Sequence, residues 1–335
     1  MKILIVGVEQ IKKDERYMDD KGWSFKRAFD KNGIETELFI YKKKGRLSFL
    51  EKDKLIRGKR QAYMNNQLVR QVRQLKPDVL LILKGETIYP ETLLNIRKKT
   101  DTLIVTVFPD NPLYMGKFES IEPCHYFFVK DSYVHDALHK VGLKNVMYLP
   151  QCTDPDVHRP MELPEEDRAG NSCDLSLIGS MYPYRLKFIE QLVDFQPVIW
   201  GRGWSKSMNK DIEKLYRKKD IRGTSKAKAI SGSAVSLNPH HPLNDINGVN
   251  RRTFDIAACK GFQLADLKQD MHKILKVEEE IICFESMDQL KKLIRYYLNH
   301  PDERIQIAEA AYQKVIKEHT YDVRAKQILE IVSGR

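Results

Sequence analysis

Arg252 and Asp255 stand three residues apart where a helix-like stretch begins, so a cation and a carboxylate share one face. Around them, residues 238–266 read as the end of a buried strand, a polar loop, a helix opening near Gly248, Val249 and Asn250, and a second buried strand at 262–265. An arginine at a helix N-terminus suits a diphosphate, because free N–H groups and the helix dipole both favour an anion there. A carboxylate beside it suits the two hydroxyls of a ribose. A second strand–turn–helix junction, residues 175–185, carries Gly179 where backbone can approach a phosphate, Ser180 as a donor, and Arg185 in the first helical turn. Two such junctions, each followed by an arginine, fit a reaction in which charge develops on a departing diphosphate and must meet preorganised positive potential.

Other residues extend this reading. Asn238 closes the strand before the polar loop, and Gly201 and Arg202 lie in a Gly-Arg-Gly loop between Trp200 and Trp204 that could touch a base. Asp110 and Glu86 each follow an apolar strand-like run, where an acid could act as base toward an acceptor hydroxyl or hydrogen-bond it. Asp110 equally suits an Asx-type turn before Asn111-Pro112. His240 and His241 are adjacent, so in extended chain they point opposite ways and make a poor metal pair. With no His/Cys cluster to hold a metal, neither a bound metal nor a cofactor is expected.

The elements that must hold these residues alternate along the chain. Strand-like apolar runs fall at 3–8, 36–41, 79–83, 103–108, 126–129 and 146–149, with amphipathic stretches such as 55–75, 90–98 and 133–141 between them. The second half repeats the pattern, with strands at 175–178, 198–200, 234–237, 262–264 and 281–284. Its helices are expected at 184–193, 211–217, 225–230, 250–258, 287–298, 302–318 and 321–332. Apolar strands separated by helices predict parallel sheets covered on both faces. The fold class expected is therefore α/β: two doubly wound, Rossmann-like domains facing across a cleft, with ligands at the carboxyl ends of the strands. The division expected is 1–152, a linker over 153–172 without apolar periodicity, and 173–335, with the last helix (about 321–335) returning to the first domain.

Composition sets limits. The 335 residues are 42% hydrophobic and 31% charged, as in a folded globular protein, with no apolar run near the roughly 18–20 residues of a membrane span. The N-terminus reads as a first strand rather than a signal peptide, and five scattered cysteines without C-x-x-C spacing suit reduced thiols, so a cytoplasmic location is expected. The net charge of +11 is uneven: residues 1–150 hold 28 Lys+Arg against 19 Asp+Glu, and the later residues 29 against 27. The excess concentrates at 42–60, either a solvated helix-and-loop face or a surface for an anionic acceptor, a membrane or a spore surface. No nucleic-acid module accompanies it, so nucleic acid is not an expected partner.

Several motifs occur in an order that resembles the spore-maturation (CgeB-like) glycosyltransferases, relatives of the retaining GT-B enzymes. They are Ile178-Gly179-Ser180 with Tyr182-Pro183 and Arg185, Trp200-Gly201-Arg202-Gly203-Trp204, Ser236-Leu237-Asn238, Gly248 to Asp255, Ala258 to Phe262, and Glu318-His319-Thr320-Tyr321 with Arg324. The match covers roughly 173–330; the first half matches more loosely through Lys84-Gly85-Glu86, Pro109-Asp110 and Leu149-Pro150-Gln151. Asp255 and Lys260 stand where that family usually has Glu and often Gly. The resemblance implies a GT-B fold, a nucleotide-sugar donor (a UDP-sugar) on the C-terminal domain, a glycan or surface-polysaccharide acceptor on the N-terminal domain, and a metal-independent, retaining transfer. A degenerate nucleotide- or glycan-binding protein and a nucleotide-sugar epimerase are the alternatives.

Overall fold

A computed structural model of the chain describes residues 1–7, 21–40 and 54–334. Among them the chain divides into two compact units. One runs up to Pro150 and takes back the chain from Tyr321 onward, and the other spans Gln151–Thr320.

The first unit is built on a parallel sheet of β1 (Lys2–Gly7), β2 (Glu35–Ile40), β3 (Val79–Leu83), β4 (Leu103–Phe108), β5 (Tyr126–Val129) and β6 (Val146–Tyr148). Their order is β2-β1-β3-β4-β5-β6. Helices α1 (Lys21–Lys31), α2 (Lys54–Leu75), α3 (Pro90–Lys99) and α4 (Ser132–Lys140) connect them. β3 is Val-Leu-Leu-Ile-Leu and buried at every position, because a strand covered on both faces needs apolar residues on both. Leu4, Leu80, Ile104 and Phe127 on neighbouring strands join Leu68 and Val72 of α2 in one core.

The second unit's parallel sheet is β7 (Cys173–Ile178), β8 (Val198–Trp200), β9 (Ser233–Asn238), β10 (Gln263–Asp266) and β11 (Ile282–Phe284), in the order β11-β10-β9-β7-β8. Its helices are α5 (Glu165–Asn171), α6 (Pro183–Glu190), α7 (Lys210–Leu215), α8 (Gly223–Ser231), α9 (Arg251–Ala258), α10 (Met271–Ile274), α11 (Met287–Leu298) and α12 (Pro301–Glu318). The chain reverses direction across the sheet between β7 and β9, and that switch point is where such sheets open a crevice for ligands. The last helix, α13 (Tyr321–Val332), packs in the first unit: Phe25 meets Tyr321 edge-on at 4.9 Å, and Arg324 Nε donates to the Pro150 carbonyl at 2.8 Å.

Two details depart from the sequence reading. Residues 153–172, which lack apolar periodicity, form α5 and also bury Thr153, Val157 and His158 in the second unit. Lys260, just past the end of α9, has a φ of 53°, the left-handed geometry that explains a glycine preference there. Its side chain turns outward to pair with Glu309 at 2.6 Å over the Tyr312 ring. Among the described residues no helix is long and apolar enough to cross a membrane.

Candidate functional site

The site grows from the carboxyl ends of β7 and β9. Asn238, the last residue of β9, is fully buried and uses both ends of its amide. Its Nδ2 donates to Thr253 Oγ1 (3.0 Å) and Gln263 Oε1 (2.9 Å), and its Oδ1 accepts from Asn250 Nδ2 (3.0 Å) and Arg252 Nε (3.1 Å). Asn250 in turn caps α9, accepting from the Thr253 N–H. Asn238 therefore positions the helix start and Arg252, and is not itself on the cavity wall. Arg252 completes its fork on the carbonyls of Ile178 (2.6 Å) and Pro239 (2.8 Å), at the ends of both strands.

Arg185 arrives from the other junction. Pro183 opens α6 without a side-chain cap, and Arg185 Nη1 donates to the Ser180 carbonyl at 2.6 Å. Its guanidinium lies over the Tyr182 ring, 4.3 Å from the centroid, and its buried Nε has no hydrogen-bond partner. A Cβ added at Gly179 would run into Nη1 of both Arg252 and Arg185, so the two guanidiniums converge on this glycine. Among the described residues, no carboxylate lies within ion-pairing distance of either one. Burial first, and the charge of Arg252 second, push Arg185 down to about 9. Burial lowers Arg252 as well, against the pull of Tyr182, Asp245 and Asp266. Two buried arginines destabilised as cations by desolvation are groups that a bound dianion would relieve.

The turn around them is tightly fixed. Gly179 N–H donates to the Trp200 carbonyl (2.8 Å), and the Gly179 carbonyl accepts from Trp204 Nε1 (2.8 Å). Gly201 has a φ of 137°, and a Cβ there would overlap the Gly179 carbonyl. Gly201→Ala is therefore expected to cost on the order of 3 kcal/mol and to lower the urea midpoint sharply, whereas Gly58→Ala, on α2 with open space around it and no left-handed φ, should not lower it.

Asp255 does not stand beside Arg252 as spacing suggested. The carboxylate is fully buried, with Oδ1 accepting from Thr153 Oγ1 (2.8 Å) beside His158 (3.4 Å), and Oδ2 taking Lys226 Nζ (2.6 Å) with Arg251 Nε at 3.4 Å. Its four acceptor positions thus face four protein groups. Burial works to raise its pKa, but Arg251, His158 and Lys226 outweigh that and hold it well below the ordinary carboxylate range.

A cavity of about 420 Å³ joins these parts, lined by Gly179, Ser180, Arg185, Gly201, Arg202, Asn250, Arg252 and Asp255 among others. Six cationic lining residues (Arg185, Arg202, Arg222, Lys226, Arg251, Arg252) face three acids (Asp220, Asp245, Asp255). Sequence reading missed Lys226, Arg222 and Asp220, which carry no motif. Of the residues it named, Gly248 is buried away from the wall, and Val249 packs in an apolar cluster with Phe254 and Met271. His240 pairs through Nδ1 with Asp266 at 2.7 Å, while the His241 ring packs tilted against Tyr182, with centroids 4.5 Å apart. Among the described residues no group of three or more His, Cys, Asp or Glu could hold a metal ion.

In the first unit Asp110 and Glu86 meet on one cation. Lys84 Nζ lies 2.8 Å from Asp110 and 3.0 Å from Glu86, and Lys84 holds the left-handed φ of 68°. Burial works to lower the Lys84 pKa, but Asp110 and Glu86 outweigh it and raise it. Burial opposes ionisation of Asp110 too, yet Lys84, with Lys21 and Lys130, keeps its pKa below the ordinary value. Asp110 is thus a carboxylate that accepts hydrogen bonds more readily than it takes a proton. Most of the basic stretch 42–60 lies outside the described residues; in α2, Arg57 and Lys59 are exposed.

Comparison with known proteins agrees with this geometry. Residues 185–330 match the family model described as glycosyl transferase-like. The chain is 26% identical over 269 residues to the spore protein CgeB of Bacillus subtilis (strain 168), covering 75% of this chain and 81% of that protein. Among solved structures, sucrose-phosphate synthase from Thermosynechococcus elongatus superposes with a TM-score of 0.68 at 11% identity, over 99% of this chain and 98% of that one. Anabaena HepE, solved with UDP-glucose, superposes with a TM-score of 0.66 at 12% identity over 100% of both chains. At such identities the structures speak for the fold, and the family model and CgeB for the kinship. The chain is thus similar to the glycosyl transferase-like family over its second half and to CgeB over most of its length, and its two parallel-sheet α/β units have the GT-B fold of these solved structures.

Proposed function

We propose that the second unit holds a UDP-sugar and that the chain transfers the sugar, with retention and without a metal ion, to a glycan or surface-polysaccharide acceptor. The observation that carries this reading is the convergence of Arg185 and Arg252 on Gly179, with neither guanidinium neutralised. A departing diphosphate would accept from both, and from the uncapped first turn of α6, so the charge that develops as the glycosidic bond breaks meets donors already in place. UDP is the diphosphate favoured because HepE, of the same fold, was solved with UDP-glucose. Lys226, its own charge balanced by Asp255, would donate to the ribose hydroxyls. Asp110 in the first unit would accept from an acceptor hydroxyl and orient it, with Glu86 and Lys84 fixing its place.

The direct test is incubation with a panel of nucleotide sugars, following thermal shift, release of the nucleoside diphosphate and the identity of the sugar product. UDP release identifies the transferase. An isomerised sugar still attached to UDP would point to an epimerase, and stabilisation without turnover to a binding protein. If no nucleotide sugar raises the melting temperature, the donor site is wrong.

The lowered Arg185 pKa adds a pH signature. A bound diphosphate favours the charged guanidinium, so binding takes up a proton wherever free Arg185 is partly neutral. UDP affinity should be flat near about pH 8 and fall as pH rises past about 9, a decline read by titration calorimetry in buffers of differing ionisation enthalpy. The uracil N3–H of UDP ionises in the same alkaline range, so Arg185→Met should lose only the proton uptake on binding and the part of the decline that the guanidinium causes.

A further inference from the structure

The donor cavity has a second polar group that diphosphate binding leaves unused. Residues 216–222 run beside β8: Arg217 N–H donates to Ile199 (2.9 Å), and Gly201 N–H to Lys219 (2.9 Å). Ile221, buried against Trp200 and Ala229, anchors this segment. Asp220 is thereby brought to the cavity wall between two arginines. Its Oδ2 lies 3.3 Å from Arg202 Nε and 3.4 Å from Arg222 Nη2, and all three side chains line the cavity that holds Arg185 and Arg252.

We propose that Arg202, Asp220 and Arg222 read the base of the donor, and that their order, donor–acceptor–donor, selects the uracil edge. This rests on the donor-site reading above. Uracil presents O2, N3–H and O4, that is acceptor, donor, acceptor, and thymine presents the same edge. Cytosine and adenine place a ring-nitrogen lone pair where uracil has N3–H, which would face the Asp220 carboxylate without a hydrogen between them. Guanine offers two adjacent donors and needs both carboxylate oxygens. Here both guanidiniums close on Oδ2, leaving Oδ1 as the open acceptor for a single N–H. The three side chains are partly solvated, so their mutual ion pairs are weak and exchange readily for a base.

Calorimetric titration with UDP, dTDP, CDP, GDP, ADP and inorganic diphosphate tests this on the full chain. UDP or dTDP is expected to bind about tenfold or more tightly than CDP, GDP and ADP, the lower range of a two-point base contact. The comparison of UDP with dTDP separates uracil from thymine. Asp220→Asn should bring the nucleotides to within about threefold of each other, with inorganic diphosphate affinity and circular dichroism unchanged. Arg222→Ala should weaken UDP but not inorganic diphosphate. Equal binding of all nucleotides, a preference for CDP, GDP or ADP, or a preference that survives Asp220→Asn would overturn the base assignment while the diphosphate site stands. Failure of every nucleotide and of inorganic diphosphate to bind would overturn both.

Discussion

Replacing Arg185 with methionine is expected to weaken UDP binding about 30-fold while leaving the protein as stable as the parent, or up to about 1 kcal/mol more stable. The binding loss follows from removing a charged donor to a phosphate, worth roughly 2 kcal/mol in a site screened from water. The stability gain follows from what Arg185 does in the empty protein. It is buried beside Arg252, its Nε is unpartnered, and it donates to the carbonyls of Ser180 (2.6 Å) and Pro239 (3.4 Å), with no carboxylate in ion-pairing distance among the described residues. Methionine fills similar volume without a desolvated charge. A residue that weakens the empty fold and strengthens the complex is a ligand-binding residue, and urea unfolding beside UDP titration shows both signs at once. A purely structural arginine would give the opposite pair: lower stability and unchanged binding.

Asp255→Ala should behave in reverse, costing about 3–5 kcal/mol, because it leaves the ammonium of Lys226 and the guanidinium of Arg251 buried without their anion. Against a total stability of roughly 5–15 kcal/mol, that is enough to abolish soluble expression or to collapse the urea midpoint. The double variant Asp255→Ala with Lys226→Met removes the main unpaired charge as well, and should recover at least part of the loss. The depressed Asp255 pKa sets the direction with acid. Its stabilisation is full above about pH 4 and fades as pH falls through the folded value, so Asp255→Asn should flatten the acid limb of the stability profile. Loss of UDP binding by Asp255→Asn with the urea midpoint intact would return the carboxylate to the ribose role that its position on α9 first suggested.

The contrast between these two residues shows what spacing could and could not reveal. Apolar runs located β3 and β8 to the residue, since a strand covered on both faces has no polar alternation to blur its ends. The junctions that carry Gly179, Arg185 and Arg252 were equally legible, because a strand, a tight turn and a helix start are local features. Asp255 was not. Helical spacing put it on the face of Arg252, but Arg252 turns to the carbonyls ending β7 and β9, and Arg251, one turn back, is the arginine near Asp255. Thr153 and Lys226, 102 and 29 residues away in sequence, claim its oxygens, and a pairing of that range leaves no periodicity to read. The same holds for Asp220, which meets Arg202 only because residues 216–222 lie along β8. Residues 153–158 looked like a polar connector, yet Thr153 and His158 are buried because a charged partner waits for them.

The most direct measurement is the affinity of the parent protein for UDP set against uridine, repeated with Arg252→Ala. If Arg185 and Arg252 form the diphosphate site, UDP binds at least about 100-fold more tightly than uridine, and Arg252→Ala removes most of that difference. Equal affinities for UDP and uridine, or a difference unchanged by Arg252→Ala, would contradict the account.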